Sequence, residues 1–116
     1  MRYIKKYNIF ENHTSKDMQM IKDIFQEYID DYDMYEWQES QGDGLFHSIK
    51  EDESEEEIYI FIYCVNTTQS KELNERFNKL RDNIVNFTDR LKRAGYKSYS
   101  GGGGYGEPIT ISVSII

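Results

Sequence analysis

The sequence predicts an α+β fold: a ferredoxin-like split βαβ sandwich of the form β-α-β-β-α-β, with one extra strand possible. Two helices would pack on one face of an antiparallel sheet. Three observations predict it. Leu73, Phe77, Leu80, Ile84, Phe87 and Leu91 recur at spacings of four and three, which is one buried stripe of a helix. Residues 58–65, IYIFIYCV, are apolar at both parities, as in a strand central to its sheet. Residues 109–116 alternate, with Ile109, Ile111, Val113 and Ile115 facing one way and Thr110, Ser112 and Ser114 the other.

Taken in order, residues 2–10, RYIKKYNIF, read as a first strand, with Tyr3, Tyr7 and Ile9 on one parity. A helix over 15–32 follows. Thr14 is its expected N-cap, with Asp17 completing an approximate capping box. Its apolar stripe is Met18, Ile21, Ile24, Phe25, Tyr28, Ile29 and Tyr32. Residues 33–40 and 45–50 read as two strands joined by a hairpin at Gly42-Asp43-Gly44. EDESEEE then turns the chain into the central strand. Ser70 caps the long second helix, Lys92 and Arg93 complement its dipole, and Gly95 ends it. A helix with this seam lies on a sheet more readily than in a coiled coil, because only three heptads are present. A short strand near residues 96–99 and a glycine-rich turn lead into the last strand.

With 116 residues, the chain has the size of one domain, taken as 1–116. Aromatics make up 15% of it, which excludes a disordered class. The one cysteine, Cys64, excludes an internal disulfide and a cysteine-rich zinc site and reads as a small buried hydrophobe. His13 and His47 lack ligand spacing, so no metal or other cofactor is expected. The longest apolar run, residues 58–65, is too short for a membrane helix, and no leader is visible. A cytoplasmic protein is the expectation. The scarcity of alanine and proline beside abundant Ile, Tyr, Asp and Lys points to an AT-rich genome, such as that of a low-GC bacterium or its phage.

The net charge of −7 is unevenly spread. Residues 1–66 hold 6 Lys/Arg and 16 Asp/Glu, or 6 − 16 = −10; residues 67–116 hold 8 and 5, or 8 − 5 = +3. So many carboxylates must be solvated. As a bland solvated face they need no partner; as a dense patch they would attract a basic protein surface and repel nucleic acid. Around them lie aromatics of the kind that anchor interfaces. The candidate contact set is Asp30, Asp31, Asp33, Tyr35, Glu36, Trp37, Glu39, Glu51, Asp52, Glu53, Glu55, Glu56 and Glu57. Tyr28 and Tyr32 continue the helical stripe and read as core.

YSGGGGYGEP, residues 99–108, contains G-x-G-x-x-G at Gly101, Gly103 and Gly106. A dinucleotide loop must open a helix, and this one precedes Pro108 and a strand. A kinase-type loop would need a following lysine and catalytic aspartate, and neither is present. The run Gly101, Gly102, Gly103, Gly104, Tyr105, Gly106 therefore reads as a mobile turn and a secondary contact loop. The sheet is aromatic enough for RNA at Tyr3, Tyr7, Tyr59, Phe61 and Tyr63, but the basic RNP pattern is missing and the charge opposes phosphate. No catalytic constellation emerges.

The expectation is a small, acidic, non-catalytic protein, monomeric or weakly dimeric. It would bind and inhibit or regulate a basic, nucleic-acid-binding protein by presenting carboxylates where phosphates would lie. By size and charge alone it is of the general kind of phage anti-defence, anti-CRISPR-like and host-takeover inhibitors. The alternative is a dimeric ligand-binding regulatory module, paired through its sheet or second helix, with the glycine run at the ligand.

Overall fold

The computed structural model describes residues 2–38, 42–52, 54–104 and 106–114, with side chains from Lys16 onward. The order is α1 (Arg2–Tyr32), β1 (Met34–Glu36), β2 (Gly44–Asp52), β3 (Glu57–Val65), α2 (Lys71–Arg93), β4 (Lys97–Gly102) and β5 (Ile109–Ser114). The five strands form one mixed sheet in the order β1-β2-β3-β5-β4. β2, β3, β5 and β4 pair antiparallel, and β1 runs parallel to β2. Two helices on such a sheet are compatible with a ferredoxin-like arrangement, but the strand order departs from it.

Three expectations are corrected. Residues 2–10 are helical, not a strand, and α1 runs through Thr14, which therefore caps nothing. No glycine or proline interrupts residues 2–32, and Tyr3 and Tyr7, four apart, fit helical spacing as well as alternation. The segment at Gly42–Gly44 does not close a hairpin, because Met34 pairs with Leu45 and Glu36 with His47 in parallel. Asp43 instead ties the start of β2 to the β3–α2 loop. Its carboxylate accepts from the Thr67 hydroxyl at 2.7 Å and from the Thr68 amide and hydroxyl, each at 3.0 Å. The Thr67 bond leads in lowering its pKa to about 2. The sheet is accordingly mixed, not wholly antiparallel.

Both helices lie on one face. Ile21, Phe25 and Tyr28 of α1 meet the α2 stripe, and both meet Leu45, Ile58, Ile60, Ile62, Ile109, Ile111 and Val113 from the sheet. Every residue of the α2 seam is buried. Ser70 caps that helix by accepting from the Leu73 amide. Its other end closes as a Schellman motif: the Tyr96 amide donates to the Leu91 carbonyl and the Gly95 amide to that of Lys92. Gly95 has φ +102°, which favours glycine. α1 ends at Asp33, φ +54°, and has no basic residue in its last turn. Arg76 reaches over from α2 and donates to the Tyr32 carbonyl at 2.9 Å, supplying the missing cation.

Candidate functional site

The second face of the sheet is left open. Strand alternation sends Ile58, Ile60 and Ile62 to the helices and Tyr59, Phe61 and Tyr63 to the other side. Register brings Phe46 beside Tyr63, Ser48 beside Phe61 and Lys50 beside Tyr59. The β3 rings line up, Tyr59 to Phe61 and Phe61 to Tyr63, each pair 6.4 Å apart with planes 25° from parallel. Trp37, just past β1, packs on Tyr63 at 4.8 Å and edge-on to Phe46 at 6.0 Å. Tyr35 adds a tilted contact to Phe46. Trp37 is 45% exposed and Tyr35 58%, while Phe46 is shielded beneath them. No element covers this stripe among the described residues.

Carboxylates bracket the stripe at its two ends. Asp33 and Asp43 precede β1 and β2, at the end of the sheet where Phe46 pairs with Tyr63, and both oxygens of Asp43 are held by Thr67 and Thr68. Asp52, Glu55 and Glu57 lie at the β2–β3 hairpin, near Tyr59. The Tyr59 phenol donates to Glu57 at 2.5 Å and to Glu55 at 3.0 Å, and these bonds raise its pKa. Asp52 accepts from the Ser54 hydroxyl, which holds its own pKa down. Eight strand steps from Gly44 to Asp52 separate the two acidic ends by about 27 Å. The contact set read from sequence is therefore split, with Asp33 at one end and Asp52, Glu55 and Glu57 at the other; Asp43 is not part of that set.

The remaining members fall as follows. Asp30 and Asp31 are exposed on the last turn of α1, where negative charge opposes the helix dipole. Glu36 faces the helix side, beside His47. Glu51 is exposed, with the parity of the helix side. Glu56 sits in the hairpin turn with φ +55°. Glu39, Glu53 and Tyr105 lie outside the described residues. Gly101 and Gly102 belong to β4, and Gly103, Gly104 and Gly106 to the loop after it. Phe46 and the β3 tyrosines are absent from the contact set read from sequence. The signal for the tyrosines was the odd parity of IYIFIYCV, whose apolar second face had no second layer to meet.

The glycine run is a pinned hairpin end. Gly103 donates to the Pro108 carbonyl and Glu107 to that of Gly104, both at 3.0 Å. Arg81 of α2 donates to the Gly103 carbonyl at 2.9 Å. β3 outruns β5 by three residues, because Ile62 is the last to pair. The gap is a groove of ≈ 840 Å³ lined by Tyr63, Cys64, Phe77, Asn78, Arg81 and Pro108 among others. Burial raises the Cys64 thiol pKa, so little of it is thiolate at neutral pH.

A smaller cleft lies between α1 and β2, with His47, Glu36 and Lys22 on its walls. His47 stands edge-on to Phe25 at 5.6 Å, and its Nδ1 is buried without a hydrogen-bond partner. Burial, then the nearby Lys22, lowers its pKa below the ordinary 6.5; Glu36 acts in the opposite sense. As pH falls, the unfolded chain takes up this proton first. Stability present above the unfolded value is therefore lost as pH drops through about 6.5 towards the folded value. His47→Phe, which keeps a ring against Phe25, should flatten the fall in Tm between neutral pH and about pH 5. Equal slopes in the two proteins would contradict this.

Among the described residues, no group of three or more His, Cys, Asp or Glu side chains could hold a metal ion. Among the described residues, no helix is long and apolar enough to cross a membrane. No protein-family model, no curated protein and no solved structure matches the chain. The functional reading therefore rests on the geometry of its own residues.

Proposed function

We propose that this chain is a non-catalytic docking protein that binds the basic surface of a nucleic-acid-binding protein through the open face of its sheet. The observation that carries the reading is the uncovered stripe Tyr35, Trp37, Tyr63, Phe61 and Tyr59, bracketed by carboxylates at both ends. Aromatic faces attract guanidinium groups, and flanking carboxylates steer and pair them. A strip about 27 Å long, with anionic groups at its ends, can occupy a cleft that otherwise holds phosphates. We read the fold as a variant of the ferredoxin-like sandwich whose free face is used for binding.

The test uses an arginine-rich peptide as probe. Its affinity should fall steeply with added salt. Reversing Asp52, Glu55, Glu56 and Glu57 to lysine should weaken it at least tenfold, about 1.4 kcal/mol. Unchanged affinity after this reversal would sink the reading. The alternative, a small-ligand module, would place its ligand in the groove beside Arg81 and the glycine run.

A further inference from the structure

The sheet has a gap between the end of β3 and the glycine run. Pairing of β3 with β5 stops at Ile62 opposite Ile109. Continued, the register would set Glu107 level with Cys64, but the Glu107 amide turns away and donates to the Gly104 carbonyl. The Trp37 amide donates to the His47 carbonyl, so odd residues of β2 turn their backbone groups to β1 and even ones to β3. Phe46 opposite Tyr63 and Ile62 opposite Ile109 carry that alternation across the sheet. The Gly103 amide bond to the Pro108 carbonyl has the parity this requires. The amide and carbonyl of Cys64 therefore point the way those of Ile62 do, into the groove, where no strand meets them among the described residues. An unpaired donor and acceptor on an interior strand is a place where an extended chain can add.

The inner end of the groove decides what that chain can be. Pro108, level with Tyr63 and in line with β5, closes it, so a chain laid against Cys64 must terminate there. Arg81 stands beside the same end. A Cβ at Gly103 would lie 2.9 Å from Ile109 Cγ1 and 3.0 Å from Arg81 Cδ, which places the arginine over the start of β5. A chain antiparallel to β3 runs the way β5 runs and brings a carboxylate to Arg81. A parallel chain would bring an ammonium to the same cation. Charge selects the first.

We propose that this groove captures the carboxyl terminus of a polypeptide, laid antiparallel to β3. The last residue sits level with Cys64. Its amide donates to the Cys64 carbonyl, one carboxylate oxygen accepts from the Cys64 amide, and the other accepts from Arg81. Arg81 is set for this role. Its Nη1 donates to the Gly103 carbonyl at 2.9 Å, which fixes the guanidinium. Its Nε lies 4.0 Å from the Asp82 carboxylate, too far for a hydrogen bond, and Nη2 has no partner among the described residues. Cys64 packs on the helix side of β3, so the terminal side chain faces the same way, towards Phe77, and a small apolar residue such as valine suits it. The preceding side chain falls on the other side, by Tyr63 and Trp37, which also line the groove. Glu107, on the loop wall, disfavours a second acid in the peptide. The site needs no cation from its ligand and does not depend on what the open face binds.

Amide NMR of the full chain, titrated with the peptide acetyl-Ala-Ala-Tyr-Val, tests this. The free acid should shift Cys64, Phe77, Arg81 and Gly103. The same peptide ending in a carboxamide should bind roughly tenfold more weakly or worse. So should the peptide N-methylated at its valine, which keeps the carboxylate but loses the donor to the Cys64 carbonyl. Arg81→Gln should remove the preference for acid over amide, a ratio that reads the carboxylate contact even where the loop loses its tie to Gly103. Absence of shifts at millimolar peptide overturns the proposal. So does equal binding of acid and carboxamide by the wild type, or a set of shifts confined to Tyr59 and Phe61.

Discussion

Gly102→Ala is expected to lower the free energy of unfolding by about 3 kcal/mol, whereas Gly101→Ala, one residue earlier, should leave it unchanged or raise it by up to ~1 kcal/mol. Gly102 has φ +76°, and a Cβ there would lie 2.3 Å from the Pro108 carbonyl oxygen. That oxygen is backbone and is held by the Gly103 amide, so it cannot turn aside. Left-handed strain and the displacement of the hairpin add together. Gly103 is similarly confined: φ is +83° and a Cβ would lie 2.9 Å from Ile109 Cγ1. Gly101 has open space and no positive φ, so alanine there mainly reduces the freedom of the unfolded chain. Urea denaturation of dilute protein checks both. Equal effects at the two positions would contradict the pinned hairpin.

Trp37→Ala should weaken binding of a basic partner by about 2 kcal/mol, roughly thirtyfold, while costing only about 1 kcal/mol of stability. The asymmetry follows from where the ring sits. Its contacts are one side of Tyr63 and the edge of Phe46, so losing it opens no core cavity. Those contacts nonetheless hold a large flat surface ready on the open face, and pre-organised aromatics dominate interface energetics. Phe25→Ala would behave oppositely: Phe25 is fully buried against Phe87, and its truncation should cost about 3–5 kcal/mol without touching the open face. Thermal melts and probe titrations on the two variants separate the cases. Trp37→Ala that binds at wild-type strength would remove the stripe from the function.

Much of the fold was legible because local chemistry and tertiary packing agree. The α2 seam, its Ser70 cap and its Gly95 stop all point the same way, and the core uses every residue of that stripe. β3 is central, as its two apolar parities require. Residues 2–10 were illegible for a definite reason: two aromatics four apart satisfy a strand parity and a helix face equally. The parallel docking of β1 was hidden because alternation tells which residues share a face but not which strand lies alongside. Gly42-Asp43-Gly44 carries turn chemistry, yet Asp43 spends its acceptors on Thr67 and Thr68, residues far away in sequence. The acidic run looked like one patch because sequence proximity stood in for spatial proximity. A nine-residue strand between its two parts carries them to opposite ends of the sheet. The glycine excess had no account in sequence terms. Gly102 and Gly103 now have one in hairpin geometry.

The central claim is that the open sheet face is the binding surface. Amide NMR of the full chain, titrated with an arginine-rich peptide, tests it most directly. Shifts should concentrate at Tyr35, Trp37, Phe46, Tyr59, Phe61, Tyr63 and the β2–β3 hairpin, and in Trp37→Ala should need roughly thirtyfold more peptide to appear. Shifts confined to the helices or to the groove beside Arg81, or tighter binding of a single-stranded oligonucleotide on the same face, would contradict it.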